Sequence, residues 1–182
     1  MRALMLGLGL AVAATPAFAT GMKVTTPDFR NGGTIAMAQV FTGCKGQNIS
    51  PALSWSGAPA GTKSFAITMY DPDAPTGSGW WHWTLFNIPT DVHGLPKGAG
   101  DAGSKTLPAG AGEGRTDFGF SHYGGPCPPA GDPPHHYHIT VYAVKVARLP
   151  LNAQSSGATV GFNLRFNTLA KAQIVGRYGR PK

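Results

Sequence analysis

Two short stretches of the sequence hold the side chains best suited to bind a small molecule or to move a proton. Residues 70–87 contain two aspartates and then three tryptophans around a histidine, and residues 135–138 contain three histidines and a tyrosine. Tryptophan is costly to leave in water and aspartate is costly to remove from it, so this mixture predicts a pocket with an apolar wall and a few polar groups. The side chains that we expect to line it are Asp71, Asp73, Trp80, His82, His135 and Tyr137.

The hydrogen-bond donors in this set suit a small oxyanion. A tyrosine offers its hydroxyl, and a histidine offers N–H groups that donate more strongly when the ring is protonated. The carboxylates would orient the imidazole rings, but they would repel an anion unless another group lay between them. A phosphate ester that carries an amine fits this mixture. Binding through imidazolium predicts an affinity that falls as the pH rises through about 6–7.

Two other chemistries are weaker alternatives. A weak phosphohydrolase or esterase would use His82 or His135 as its acid–base group and Asp71 to orient the ring, but no motif for an activated nucleophile is present. The histidines at 135, 136 and 138 suggest a metal site. Adjacent side chains of a strand point to opposite faces, however, so we expect no bound metal, and nothing in the sequence indicates a cofactor.

The elements that must position these residues are mainly strands. Apolar and β-branched runs between turn residues predict strands at 23–28, 34–41, 64–70, 80–88, 136–146 and 174–178, and a helix at 161–172. Residues 91–134 are rich in glycine and proline, and we expect them to be irregular. The predicted fold is a single all-β domain, an antiparallel sandwich with a short C-terminal helix.

Alternation along the strands predicts which side chains share a face. We expect Trp80 and Thr84 on the face of His82, with Trp81 and Trp83 on the opposite face. In the later strand, residues 135 and 137 should point one way and residues 136 and 138 the other. The turns that flank the first stretch also favour one cis peptide bond, before the proline at 72, 75 or 89.

The N-terminus has the pattern of a secretory signal. Arg2 precedes an apolar run at 3–14, and the small residues at 17 and 19 form a cleavage site, so we expect cleavage after Ala19 and a mature domain of residues 20–182. The run is too short for a transmembrane span, although an uncleaved anchor is the alternative. These features predict a periplasmic or secreted protein. In that oxidising setting Cys44 and Cys127 favour one disulfide over two free thiols.

The charge balance indicates which partners are plausible. The formal net charge is +7, which favours acidic partners such as anionic head groups, phosphorylated ligands, a membrane surface or acidic proteins. The basic residues are scattered without a Lys/Arg run or a nucleic-acid-binding motif, so we expect no nucleic-acid partner. A diffuse basic surface that serves only solubility is the alternative.

Four motifs together carry a family resemblance. They are DPDAP at 71–75, GWWHW at 79–83, GPCPP at 125–129 and HHY at 135–137. In this order they resemble the phosphatidylethanolamine-binding protein family, and most of all its bacterial Raf-kinase-inhibitor-like branch of the YbhB/YbcL type, over about residues 23–178. The resemblance implies a Greek-key β-sandwich with a large and a small sheet. It also implies a pocket for phosphate or the phosphoethanolamine head group.

Motif by motif, the resemblance assigns the pocket to residues already singled out, namely Asp71, Trp80, His82, His135 and Tyr137. Cys127 stands where mammalian members have glycine, and we expect its backbone N–H to donate to the anion. The leading hypothesis is a non-enzymatic exported binding protein for phosphate-type ligands or phospholipid head groups. The main alternative is a protein-interaction module that inhibits a kinase, a protease or a host factor. Such a module could act as a homodimer.

Overall fold

A computed structural model describes residues 21–182 of the chain. The predicted signal peptide, residues 1–19, lies outside the described residues. The strands are β1 (Lys23–Thr25), β2 (Leu53–Ser56), β3 (Ser64–Asp71), β4 (Trp80–Ile88), β5 (Gly94–Leu95), β6 (Gly112–Glu113), β7 (His135–Val144) and β8 (Thr168–Tyr178). One α-helix, α1 (Gly157–Asn167), precedes β8, and a single 3-10 turn spans Thr42–Cys44.

The strands form two antiparallel sheets. The large sheet has the order β6-β4-β3-β7-β8, and the small sheet has the order β1-β2-β5. Strand β3 lies between β4 and β7, so the long segment 89–134 must carry the chain across β3 from one neighbour to the other. The predicted Greek-key sandwich with a large and a small sheet is confirmed.

Two apolar clusters hold these layers together. The larger one fills the sandwich and includes Phe65, Ile67 and Met69 of β3, whose alternate residues face the small sheet. The smaller one lies between the outer face of the large sheet and α1, where Val160 and Leu164 of the helix are buried. The large sheet is therefore covered on both faces, which explains why its central strands are apolar without strict alternation.

Helix α1 begins four residues earlier than predicted. Its N-cap is Ser156, whose side-chain oxygen accepts the backbone N–H of Thr159 at 3.3 Å. Residues 168–172, predicted as helix, instead belong to β8 because their backbone groups pair with the far end of β7, where Val144 is opposite Thr168. None of the helices in the described range is long and apolar enough to cross a membrane.

Two further expectations are wrong. Residues 34–41 do not form a strand. Thr34 makes only an isolated bridge with Arg177, Gln39 and Val40 donate to carbonyls three residues earlier, and Phe41 donates to Pro126. Within residues 21–182 no peptide bond is cis. The chain reverses after β3 with trans bonds because the Asp71 carboxylate accepts the N–H of Asp73 at 2.9 Å, which is an Asx turn.

Candidate functional site

A cavity of about 310 Å³ opens where β3 ends and where β4 and β7 begin. Loops close the remaining sides, so the wall comes from segments that are far apart in the sequence. The lining residues are Phe41, Gly43, Asp71, Ala74, Pro75, Thr76, Trp80, His82, Phe118, Cys127, Pro128, Pro129, His135 and Tyr137. Six of the seven residues predicted for the site are thus brought together. The seventh, Asp73, does not line the cavity.

A β-bulge places His82 in this cavity. Met69 of β3 pairs with Trp83 of β4, and Tyr70 pairs with Trp81, so His82 is an extra residue with no partner opposite it. The bulge interrupts the alternation of β4. As a result His82 lines the cavity while the next residue, Trp83, packs into the sandwich core.

The bulge overturns part of the predicted face assignment. Trp80 shares the cavity with His82, as expected. Trp83 lies on the interior side instead of the opposite face, and Thr84 lies with Trp81 on the side of α1. Alternation from residue to residue holds only where the ladder is regular, and one inserted residue reverses every assignment beyond it.

The Asp71 carboxylate holds the ring of His135 at the inner end of the cavity. Oδ2 of Asp71 lies 2.8 Å from Nδ1 of His135, and Oδ1 accepts the Asp73 N–H, so both carboxylate oxygens have partners. Both side chains are about 95% inaccessible to solvent. On its other side His135 approaches Asp132, with 3.5 Å between Nε2 and Oδ2. The ring is therefore fixed in position by two acidic residues.

Asp73 makes a similar pair outside the cavity. Its Oδ2 accepts both the backbone N–H and the ring Nδ1 of His136, at 2.7 and 2.8 Å. Desolvation raises the pKa of Asp73, but the hydrogen bonds and charge of His136 outweigh it, so the pKa is lowered. His136 faces away from the cavity, which confirms the predicted alternation of β7.

His82 is a neutral ring at neutral pH. Burial disfavours the charged form and lowers its pKa from 6.5 to about 4, although the nearby carbonyl of Gly124 opposes the shift. Nδ1 lies 2.7 Å from that carbonyl oxygen, which can only accept, so Nδ1 carries the proton. Nε2 makes no hydrogen bond to any residue that the structure describes. His82 thus presents an acceptor at Nε2 at neutral pH.

Two donors in the cavity lack partners. Tyr137 is fully buried, and its hydroxyl makes no hydrogen bond in the described part of the chain. Burial, reinforced by the charge of Asp71, raises its pKa, so the phenol stays protonated and can donate. The backbone N–H of Cys127 is also without an acceptor among residues 21–182. Both donors would have to find acceptors in a ligand or in water.

A disulfide fixes the cavity rim on which Cys127 lies. Cys44 and Cys127 are bonded, with 5.6 Å between their Cα atoms, which confirms the predicted pair. Gly43 and Cys127 both line the cavity, so the bond ties together two of its loops. It closes a loop across 83 residues of sequence.

Sequence reasoning missed an aromatic wall. Phe118 packs edge-on against both Trp80 and His82, with 5.4 Å between ring centroids in each case, and stacks on Phe41 at 4.7 Å. Phe118 comes from the glycine-rich stretch predicted to be irregular, and Phe41 from the segment wrongly predicted as a strand. Neither carries a local signal, because only the folded chain brings these loops to β4.

Elsewhere the described residues offer weaker candidates. A larger and shallower groove of about 580 Å³ lies beyond residues 129–134 and includes Arg177 and Arg180. It is open to solvent, and Arg180 is already engaged because its Nε donates to the carbonyl of Pro128. Within residues 21–182 no group of three or more His, Cys, Asp or Glu side chains is placed to hold a metal ion. The smaller cavity, with the buried and unpartnered Tyr137 hydroxyl, is the stronger candidate site.

Comparison with known proteins finds relatives of one family. The sequence model of the family described as phosphatidylethanolamine-binding protein matches residues 25–179. The Escherichia coli K12 protein YbcL is 49% identical over 180 residues, covering 98% of both chains. YbhB from the same strain is 47% identical over 159 residues, covering 86% of this chain and 99% of YbhB.

A solved structure and a further relative add to this. The crystal structure of E. coli YbcL, described as a member of the mammalian PEBP family, matches with a TM-score of 0.86 and 51% identity, covering 88% of this chain and 99% of that one. The candidate lipoprotein LppC of Mycobacterium tuberculosis H37Rv is 35% identical over 167 residues, covering 91% of this chain and 77% of LppC.

Proposed function

Because the chain belongs to the phosphatidylethanolamine-binding protein family, we propose that it is a non-enzymatic, exported protein whose cavity binds a small phosphate-type anion. Membership of the family makes it a binding or inhibitor-type protein. The ligand class that fits the cavity is a phosphate monoester or a phospholipid head group such as phosphoethanolamine.

The observation that carries this proposal is the pair of unpartnered donors in the cavity. The Tyr137 hydroxyl and the Cys127 N–H can both donate to charged oxygens of a phosphate. The acceptor of His82, Nε2, suits the remaining hydroxyl of a phosphate monoanion or an ammonium group. The apolar wall around them lowers the local dielectric constant, which strengthens each of these bonds.

The same residues support binding more than turnover. Cys127 is engaged in the disulfide and cannot serve as a thiolate. The hydroxyl of Thr76 donates to the carbonyl of Gly79, and the raised pKa of Tyr137 keeps its phenol protonated. The lining therefore supplies fixed hydrogen-bonding groups without an activated nucleophile.

Export accounts for the disulfide and for the pattern of the N-terminal residues. Disulfides persist in the periplasm and outside the cell, and the cytosol keeps thiols reduced. The similarity to the candidate lipoprotein LppC supports the same location. We place the mature protein in the periplasm or in the medium.

The test is calorimetric titration of the mature protein, residues 20–182, with inorganic phosphate and with phosphoethanolamine. We expect binding, and in Tyr137→Phe a loss of affinity of about 10- to 100-fold, the worth of one hydrogen bond to a charged group. Tyr123→Phe is the matched control, since that hydroxyl donates to the Gln39 carbonyl outside the cavity. Tyr137→Phe binding as tightly as wild type, or a wild type that binds neither probe, would overturn the proposal.

A further inference from the structure

An apolar ridge stands on the outer face of α1. Phe162 and Phe166 lie one helical turn apart, expose 65% and 58% of their surface, and pack ring against ring with centroids 5.1 Å apart. Leu169, at the start of β8, is also exposed and follows three residues later. These are three of the four exposed large hydrophobic residues in the described part of the chain.

The ridge is not the edge of the buried core. Successive helical residues turn by about 100°, which places Phe162 and Phe166 on the side of α1 opposite the buried Val160 and Leu164. Exposing two adjacent phenylalanine rings on that side contributes nothing to folding. Adjacent exposed apolar side chains of this kind mark an interaction surface.

The segment of the chain that carries the ridge has charged side chains of one sign. Residues 133–182 contain no aspartate or glutamate, although they include seven lysines and arginines. Arg165 and Lys171 line a cleft of about 430 Å³ beside the helix, together with Thr168 and Tyr142. Neither cation forms an ion pair with any side chain in residues 21–182.

We propose that this surface docks the protein on an anionic lipid bilayer. Phe162 and Phe166 enter the boundary between head groups and acyl chains, and Arg165 and Lys171 bind lipid phosphates beside them. Aromatic side chains flanked by cations are the combination that holds a peripheral helix in that boundary. A second copy of the chain is a poorer occupant, because self-association through this face would bring like charges together.

The docking surface is separate from the anion cavity. Trp81, next to the cavity residue Trp80, points to the other face of the large sheet, where a Cβ at Gly157 of α1 would touch its ring. The helix and the cavity therefore lie on opposite faces. Docking does not rest on the proposed function of the cavity, and each can fail without the other.

The test is co-sedimentation of the mature protein with vesicles of phosphatidylcholine that contain phosphatidylglycerol, compared with phosphatidylcholine alone. We expect binding to the anionic vesicles that weakens with added salt. The double variant F162S/F166S should bind at least about 10-fold more weakly. R165Q/K171Q should also bind more weakly and with a shallower salt dependence.

Two controls separate this surface from other causes. Met37→Gln alters the fourth exposed apolar residue, which lies at the far end of β8 beside Tyr178, and should bind vesicles as wild type does. Tyr137→Phe should also bind vesicles normally, since it affects only the cavity. Equal binding to both vesicle types, normal binding by F162S/F166S, or a wild-type dimer in sedimentation that F162S/F166S abolishes would overturn the proposal.

Discussion

The carboxylate of Asp71 and the ring of His135 lie 2.8 Å apart, and solvent reaches only 4–5% of either side chain. Two residues after Asp71 and one residue after His135, the same distance joins Asp73 to His136, yet those side chains are 42–43% exposed. Each aspartate also accepts a backbone N–H. The two pairs have similar hydrogen bonds and differ mainly in burial.

This difference predicts unequal costs for the same substitution. Asp71→Asn places an amide N–H₂ against a group that now donates to the carboxylate. Because the site is buried, water cannot replace the lost acceptor, and the free energy of unfolding should fall by about 2–4 kcal/mol. Asp73→Asn breaks a solvent-exposed pair and should cost less than about 1 kcal/mol. Denaturant unfolding of the two variants at neutral pH measures both values, and equal costs would contradict the role given to burial.

The two fully buried tyrosines should respond in opposite ways to loss of the hydroxyl. The Tyr123 hydroxyl donates to Gln39 at 2.9 Å, whereas that of Tyr137 has no partner in the described residues. Tyr123→Phe should destabilise the protein by about 1–2 kcal/mol, and Tyr137→Phe should be neutral or stabilising. Thermal unfolding without ligand decides this. A clear loss of stability in Tyr137→Phe would show that the hydroxyl does have a structural partner.

Burial of His82 predicts a loss of stability in acid. Its pKa is lowered from 6.5 to about 4, so between these values the unfolded chain binds more protons than the folded one, and stability rises with pH. His82→Gln removes this dependence. On going from pH 7 to pH 5 the wild type should lose about 2 kcal/mol relative to the variant, as measured by denaturant unfolding at both pH values.

Burial of Glu113 predicts the opposite dependence of stability on pH. Burial raises its pKa from 4.5 to about 7, although the indole N–H of Trp83 donates to it and opposes the shift. Between those values the folded state holds the extra proton, and stability falls as the pH rises. Glu113→Gln keeps an acceptor for Trp83 and should gain about 2 kcal/mol relative to wild type between pH 5 and pH 7. A variant that follows the wild-type curve would refute the raised pKa.

The disulfide should matter for both stability and the cavity rim. It closes a loop across 83 residues, which in the chain-entropy model is worth about 4–5 kcal/mol. The double variant C44S/C127S should lose stability of that order in denaturant unfolding. Its affinity for phosphate should also fall, because the Cys127 N–H is no longer fixed at the rim. Unchanged affinity would mean that the hydrogen bond from the Phe41 N–H to the Pro126 carbonyl is enough to keep the rim in place without the disulfide.

Local patterns were sufficient for most of the scaffold. The strand at 80–88 has the predicted bounds, and β7 has the predicted alternation, with His135 and Tyr137 facing inward together. A strand of this kind is specified by its own β-branched and aromatic residues and by the turn residues that bound it. The two cysteines and the motif resemblance likewise gave the disulfide and the family.

Long-range pairing decided what local patterns missed. The bulge at His82 depends on how β4 pairs with β3, and the extension of β8 into the predicted helix depends on β7. Phe118 reaches the cavity only because the loop that carries it packs against β4. None of these partners lies within the few residues that set a local propensity.

By itself, then, the sequence predicted the sandwich fold, the disulfide, the family and six of the fourteen residues that line the cavity. Only the tertiary structure decided the protonation and the hydrogen bonding of the cavity residues. His82 is an acceptor because the fold buries it beside the Gly124 carbonyl, and Tyr137 is a free donor because nothing in the described residues reaches its hydroxyl. Protonation and hydrogen-bond satisfaction depend on the surrounding dielectric and on contacts distant in sequence, and residue type alone contains neither.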